Sequence, residues 1–310
     1  MITNLVLSGG GQAGFSYIGV MRYLEETGHI NNIKNILGVS IGSIFSLMIT
    51  LNINSKQFGN LLKLVNTEMG EINIHNILSF FDTFGIDDCE RITKLIKACI
   101  KVKLGNENAT FEDINNYNKN KNLLIFTTNL TKKEKTIFSF DKTPNVELWK
   151  AVRASCTYPL YFQPIKIDDD LYVDGGVSCN YPIYYFKDDI ENTLGISFLY
   201  TNNNNNNEND MKKNDFVNYI SSIFMVIIGS LEKHIIELYK ENTIQLEIPI
   251  SYITDYKMSR ESKEEIYELG YNEFKKEWTT KFPDDTPSET ASHYNENWEN
   301  ELEDIRSHMN

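Results

Sequence analysis

The sequence predicts an α/β protein, a three-layer sandwich around a mostly parallel central sheet. Two observations carry this. Short apolar runs alternate with amphipathic stretches along the chain, and the first two runs end in glycine-containing turns that open directly into helical segments. A β-turn-α-β-turn-α order needs crossover helices, which place the strands parallel. Of the 310 residues 41% are hydrophobic, enough for one sizeable core with additions.

Residues 4–8 (NLVLS) read as a strand, and 14–28 as an amphipathic helix closed by Gly28. Residues 35–40 (NILGVS) read as a second strand and 41–51 as a buried helix. In 87–105 the apolar residues Ile92, Leu95, Ile96, Cys99 and Ile100 recur at helical spacing, lysines fill the other face, and Gly105 ends the helix. Strands follow at 123–130 and 135–140, a helix at 145–156 before Pro159, and a strand at 171–176 that runs into a glycine turn. Residues 193–200 read as another buried strand, 244–250 as the last strand, and 259–278 as an amphipathic helix with Ser259 as its cap.

Three segments stand apart. The run TNNNNNNEND marks a flexible Asn-rich loop at about 201–215. The helix after it, 216–231, has only a narrow polar stripe at Asn218, Ser221, Ser222 and Gly229, which fits either core burial or a lipid-facing lid. From 281 the chain forms an acidic tail with eight of the 43 acidic residues and two of the 30 Lys and Arg. Trp298, Leu302 and Ile305 share helical spacing there, but a solvated end is the expectation.

The net charge of −13 argues against a nucleic-acid binder, which needs cations to neutralise phosphates. The cysteines Cys89, Cys99, Cys156 and Cys179 form no CxxC pair and no zinc-finger spacing, so reduced thiols and no metal are expected, with a Cys89–Cys99 disulfide left open. No basic-then-apolar leader precedes the first strand, and 216–231 falls short of the roughly 18–20 residues that span a bilayer. The expected location is cytoplasmic.

Three glycine-marked turns carry the chemistry. Gly9, Gly11 and Gly14 match the spacing of a dinucleotide-binding turn, but the second strand ends without the acidic residue that would hold a ribose. What stands there is Gly38-Val39-Ser40-Ile41-Gly42, a nucleophile elbow. The turn crowds neighbouring backbone, so the positions two before and two after the serine must lack side chains. An acyl-transfer serine also needs preorganised N–H donors for an oxyanion, which the loop Gly9, Gly10, Gly11 and Gln12 can supply at a helix start. It needs a base, and Asp174 emerges from a strand into the turn Gly175-Gly176. None of His29, His75, His234, His293 and His308 is framed by such a signal, so a Ser–Asp dyad is preferred over a triad using His234. An aspartate near its ordinary pKa of about 3.9 is a poor base, so the dyad needs a hydrogen-bonded, partly desolvated carboxylate.

Together these residues resemble the patatin-like phospholipases, which carry a G-G-G loop, a G-x-S-x-G serine and a D-G-G/A aspartate in this order. AVRASCTYPLYFQPI (151–165), DGGVSCNYPI (174–183) and the segment 254–274 are also similar to family stretches. The resemblance implies a patatin-like variant of the α/β-hydrolase arrangement over 1–280. It implies Ser40 as nucleophile, Asp174 as base, the glycine loop as oxyanion hole, and hydrolysis of fatty acyl esters of phospholipids or related lipids without a cofactor. The substrate would be membrane or micellar lipid, met peripherally. A conventional Ser–Asp–His esterase and a non-catalytic lipid- or partner-binding protein are the alternatives. The family loop carries Lys or Arg where this chain has Ala13, which bears on head-group preference.

Overall fold

The computed structural model describes residues 1–64, 80, 82–201, 216–254, 258–283 and 304–308. It is a mixed α/β fold with a large central sheet flanked by helices. The strands of that sheet are β1 (Asn4–Leu7), β2 (Asn35–Val39), β4 (Asn122–Asn129), β5 (Glu134–Phe138), β7 (Ile165–Ile167), β8 (Asp170–Asp174), β9 (Thr193–Thr201) and β10 (Thr243–Pro249). Their order is β10-β9-β1-β2-β4-β8-β7, with β5 also paired to β4. The half from β10 to β4 is parallel, β5 and β8 pair antiparallel with β4, and β7 pairs antiparallel with β8. Two short strands, β3 (Gly85–Asp87) and β6 (Leu160–Phe162), form a separate pair.

Alternation along the strands separates two cores. Leu5 and Leu7 of β1, Ile36 of β2 and Leu123 and Ile125 of β4 belong to the larger cluster. Val6, Leu37, Val39, Leu124 and Phe126 face the opposite side. Period-two side chains on a sheet covered on both faces give this division. The larger side is filled by α1 (Tyr17–Glu26), α2 (Ile41–Thr50), α3 (Ser55–Leu64), α4 (Glu90–Leu104), α5 (Phe111–Tyr117), α6 (Leu148–Ser155) and α8 (Arg260–Lys281). The thinner side is covered by the 3-10 segment Ile183–Asn192 and by Ile235 and Ile236 of α7 (Phe216–Leu238).

The register sets the site. Val39 pairs with Phe126 of β4, so Ser40 stands level with Thr127. On that same edge of β4, beyond the end of β2 and opposite β5, Thr127 pairs with Asp174. β4 runs past the end of β2, and β8 returns antiparallel to bring its last residue back to the serine's level.

Several expectations need adjustment. The helix expected from 14 begins as a 3-10 turn, Gly11–Ser16, in which Ala13 N–H donates to the Gly10 carbonyl at 3.1 Å. The four cysteines are free and buried, so Cys89 and Cys99 form no disulfide. Residues 304–308 are helical and Ile305 is buried in the larger core, so this part of the tail docks instead of lying in solvent. Burial of one isoleucine outweighs the surrounding acidic composition locally. The Asn-rich run at 202–215, the side chains of Asn218, Ser221 and Ser222, and residues 284–303 with Trp298 and Leu302 lie outside the described residues.

Candidate active site

Ser40 occupies the one-residue turn between β2 and α2 with φ 52° and ψ −126°. A positive φ is costly for a residue with a Cβ, and such strain persists only where the surroundings enforce it. Here they do. A Cβ at Gly38 would strike the Gly42 carbonyl, and one at Gly42 would strike the Leu7 carbonyl, so only glycine lets the strand, turn and helix approach this closely. The Ser40 N–H donates to the Ser155 hydroxyl at 2.8 Å, and that hydroxyl donates to the Phe126 carbonyl at 2.7 Å. The Ser40 carbonyl accepts from Ser43 N–H at 2.8 Å, from the Ser43 hydroxyl at 2.6 Å and from the Cys156 thiol at 3.2 Å. Both peptide groups of the serine are thus tied down, at the N-terminal end of α2, where the helix dipole favours negative charge. The side chain stays half-buried.

Asp174 ends β8 and is 4% exposed. Its N–H donates to the Thr157 carbonyl at 2.9 Å, and its own carbonyl accepts from the Thr128 hydroxyl at 2.9 Å. The carboxylate accepts the Gly176 N–H at 2.8 Å, and the Ser40 side chain acts on it to lower its pKa. Burial pushes its pKa up to about 6, and the Ser40 side chain and the Gly176 N–H hold it from rising further. Gly175 allows the turn, because a Cβ there would lie 2.5 Å from the Phe126 carbonyl oxygen.

The glycine loop follows β1 beside the serine. An added Cβ on Gly9 would lie 3.1 Å from Ser40 Cβ and would fall on the Asn180 side-chain oxygen. Asn180 grips the loop at two points. Its carbonyl accepts the Gly9 N–H at 3.3 Å, and its Nδ2 donates to the Gly9 carbonyl at 3.0 Å. Gly9 was expected among the oxyanion donors, but its N–H is directed to Asn180. The candidate donors therefore narrow to Gly10, Gly11 and Gln12, where the 3-10 turn begins. Gly10 packs against the ring of Phe198, and Gly11 has φ 53° with open space around it. Ala13 is fully buried in the larger core, so at this position the chain presents packing to the interior in place of a charge.

The histidines are elsewhere. His29 stacks on Trp278 with ring centroids 4.6 Å apart, and His308 pairs with Asp304 at 3.4 Å. His234 is exposed on α7, two residues from the half-buried Glu232 and so on a different face of that helix. His75 and His293 lie outside the described residues. The groove of about 650 Å³ lined by Tyr252, Glu261, Glu264, Glu265 and Glu268 contains none of the serine, aspartate or loop residues.

Four residues of this site had no assigned role in the sequence. Ser155 and Cys156 hold Ser40, and Asn180 and Glu232 hold the loop, the Glu232 carboxylate accepting from Asn180 Nδ2 at 2.8 Å and from the Ser197 hydroxyl at 2.6 Å. The signal for three of them was the family-like text around 151–165 and 174–183. Glu232 had none.

Known proteins resemble this chain in sequence and fold. Over 289 residues the chain is 32% identical to protein R571 of Acanthamoeba polyphaga mimivirus, covering 89% of this chain and 93% of that one. It is 29% identical over 247 residues to "Probable lipid hydrolase 463L" of Invertebrate iridescent virus 6, covering 78% and 76%. The crystal structure of VipD from Legionella pneumophila shares the fold at 17% identity with a TM-score of 0.56, over 90% of this chain and 67% of that one. The family model for patatin-like phospholipase matches residues 5–187, from the first residues of β1 to beyond the Asp174 turn. With the elbow, the aspartate turn and the glycine loop all inside that span, the chain belongs to the patatin-like phospholipase family.

Proposed function

We propose that this protein is a lipid acyl hydrolase of the phospholipase A or lysophospholipase type, working through Ser40 and Asp174. The observation that carries the reading is the buried Asp174 carboxylate, raised to about 6 and brought level with Ser40 by the strand register, beside a strained serine turn. Family membership and the name of the iridescent-virus relative support lipid esters as the substrate class.

In this mechanism Ser40 Oγ attacks the ester carbonyl carbon while its proton passes to the Asp174 carboxylate. A carboxylate titrating near 6 is ionised at neutral pH yet basic enough to share that proton in the transition state. The tetrahedral oxyanion forms at the start of the 3-10 turn, where N–H groups of Gly10, Gly11 and Gln12 are its proposed donors. Collapse expels the alcohol portion of the lipid, which takes the proton from Asp174. Water then attacks the acyl-Ser40 ester with Asp174 again as base, releasing the fatty acid and regenerating the serine.

The test is to incubate the protein and its Ser40→Ala and Asp174→Ala variants with a mixed lipid extract and identify released products by mass. Fatty acid and lysolipid should appear with the unaltered protein alone. Undiminished release by Ser40→Ala would refute the proposal. The same products report which acyl position is cleaved.

A further inference from the structure

α7 has two faces with different chemistry. Its inner face carries Glu232, Ile235 and Ile236 onto the thinner core and reaches the catalytic end of the sheet. Its outer face carries Ile223, Val226, Ile227, Leu231 and Leu238, all of them large apolar residues with 40–68% of their surface exposed. These positions follow helical spacing and form one stripe. Leu199 and Ile250 are exposed as well, near the C-terminal ends of β9 and β10. β1, β2, β9 and β10 are parallel, so those ends share the sheet edge from which the glycine loop and Ser40 emerge.

The charge distribution suggests what covers the stripe. Residues 216–231 contain no Asp, Glu, Lys or Arg, in a chain with 43 acidic residues and a net charge of −13. Among the described residues no helix is long and apolar enough to cross a membrane. An apolar face of this kind, beside a site for lipid esters, matches a helix that lies in the interface and buries one side among acyl chains.

We propose that the outer stripe of α7 is the surface by which this protein enters a lipid layer, and that Glu232, on the opposite side of the same helix, ties that contact to the glycine loop through Asn180. The choice of lipid as the occupant rests on the acyl-hydrolase reading; the face itself does not. The tie is a chain of hydrogen bonds. Glu232 accepts from Asn180 at 2.8 Å, and the same Asn180 nitrogen donates to the Gly9 carbonyl at 3.0 Å. The second Glu232 oxygen accepts from Ser197 on β9 at 2.6 Å, which fixes the carboxylate between helix and sheet. Glu232 is a positioning residue in this scheme, acting through Asn180 on the loop. A chain of net charge −13 gains no general attraction from anionic head groups, so attachment comes from apolar burial.

The experiment uses phosphatidylcholine vesicles, with and without phosphatidylserine, at low and high salt. Binding is measured by co-sedimentation of the Ser40→Ala protein, which leaves the lipid intact. Pure phosphatidylcholine vesicles should be bound, with little gain from phosphatidylserine and little loss in salt. Val226→Asp/Leu231→Asp, both at exposed positions, should bind about tenfold or more weakly. In the otherwise unaltered protein it should lose vesicle hydrolysis to the same extent while hydrolysing a soluble short-chain ester normally. Glu232→Gln should bind vesicles normally and lower kcat on both substrates with KM little changed, and Glu232→Ala should be worse. Unchanged vesicle binding by the double variant, or a shift from dimer to monomer in sedimentation velocity, would overturn the docking surface, the latter by making a second copy the occupant. Normal kcat in both Glu232 variants would overturn the tie. Vesicle binding without hydrolysis of any ester would instead sink the hydrolase reading and leave the surface standing.

Discussion

The hydroxyl of Ser155 bridges Ser40 and Phe126, accepting from the Ser40 N–H at 2.8 Å and donating to the Phe126 carbonyl at 2.7 Å. The hydroxyl is fully buried, so removing it strands a donor and an acceptor away from water. Ser155→Ala should cost about 1–3 kcal/mol of stability in urea unfolding. It should also release the strained turn, lowering kcat more than it raises KM. An unchanged kcat would mean that α2 and the flanking glycines hold the turn unaided.

The raised pKa of Asp174 sets a pH profile. The base works ionised, so kcat/KM should rise with pH through a midpoint of about 6 and level off above it. A midpoint near the ordinary carboxylate value, read from initial rates on a soluble ester, would show that the buried environment does not govern the base.

The same group bears on stability with a defined sign. Its folded pKa lies above the unfolded value, so the native state binds the proton more tightly, and that stability is present in acid and lost as pH rises from about 4 through about 6. At neutral pH the ionised carboxylate therefore costs of the order of 2–3 kcal/mol, taking about two pKa units at 1.36 kcal/mol each. Asp174→Asn keeps an acceptor for Gly176 and removes the charge. It should abolish hydrolysis yet raise the melting temperature at pH 8, with the gain shrinking toward pH 4.

Gly9→Ala and Gly11→Ala separate crowding from backbone strain. The first places a methyl group on the Asn180 side-chain oxygen and close to Ser40 Cβ, displacing the loop. It should lower kcat roughly a hundredfold, the scale of losing an oxyanion donor. The second meets open space and bears only the cost of φ 53°, about 1 kcal/mol. Comparable activity loss in both would indicate that the loop's backbone shape matters more than its fit against Asn180.

His234→Ala should leave hydrolysis intact, because the exposed His234 is on a different face of α7 from the carboxylate that reaches the site. Loss of ester hydrolysis in a folded His234→Ala protein would revive the triad.

Much of this arrangement was legible because glycine reports backbone crowding locally. Gly38 and Gly42 frame Ser40 within five residues, and Gly175 and Gly176 follow Asp174 directly. The parallel half of the sheet was legible from apolar runs alternating with helices. The supports were not, because they act across the chain: Ser155 is 115 residues from Ser40, Asn180 is 171 from Gly9, and Glu232 is 52 beyond Asn180. No local pattern encodes such pairings. Strands as short as β3, β6 and β7, three residues each, also fall below any periodicity. The misplacement of Gly9 had a similar cause, since its N–H is claimed by a carbonyl that sequence order does not bring near.

β1 lies between β2 and β9, so the strand that carries the glycine loop has one neighbour from early in the chain and one from late. On a growing or refolding chain, β1 and β2 can pair through a short crossover, while the other edge of β1 waits for residues 193–201. Closing that long loop costs entropy before its contacts repay it, which makes it a slow step. The serine turn can thus take shape before the loop beside it is locked. Recovery of enzymatic function after dilution from denaturant should lag behind recovery of helical signal by the time β9 needs to insert.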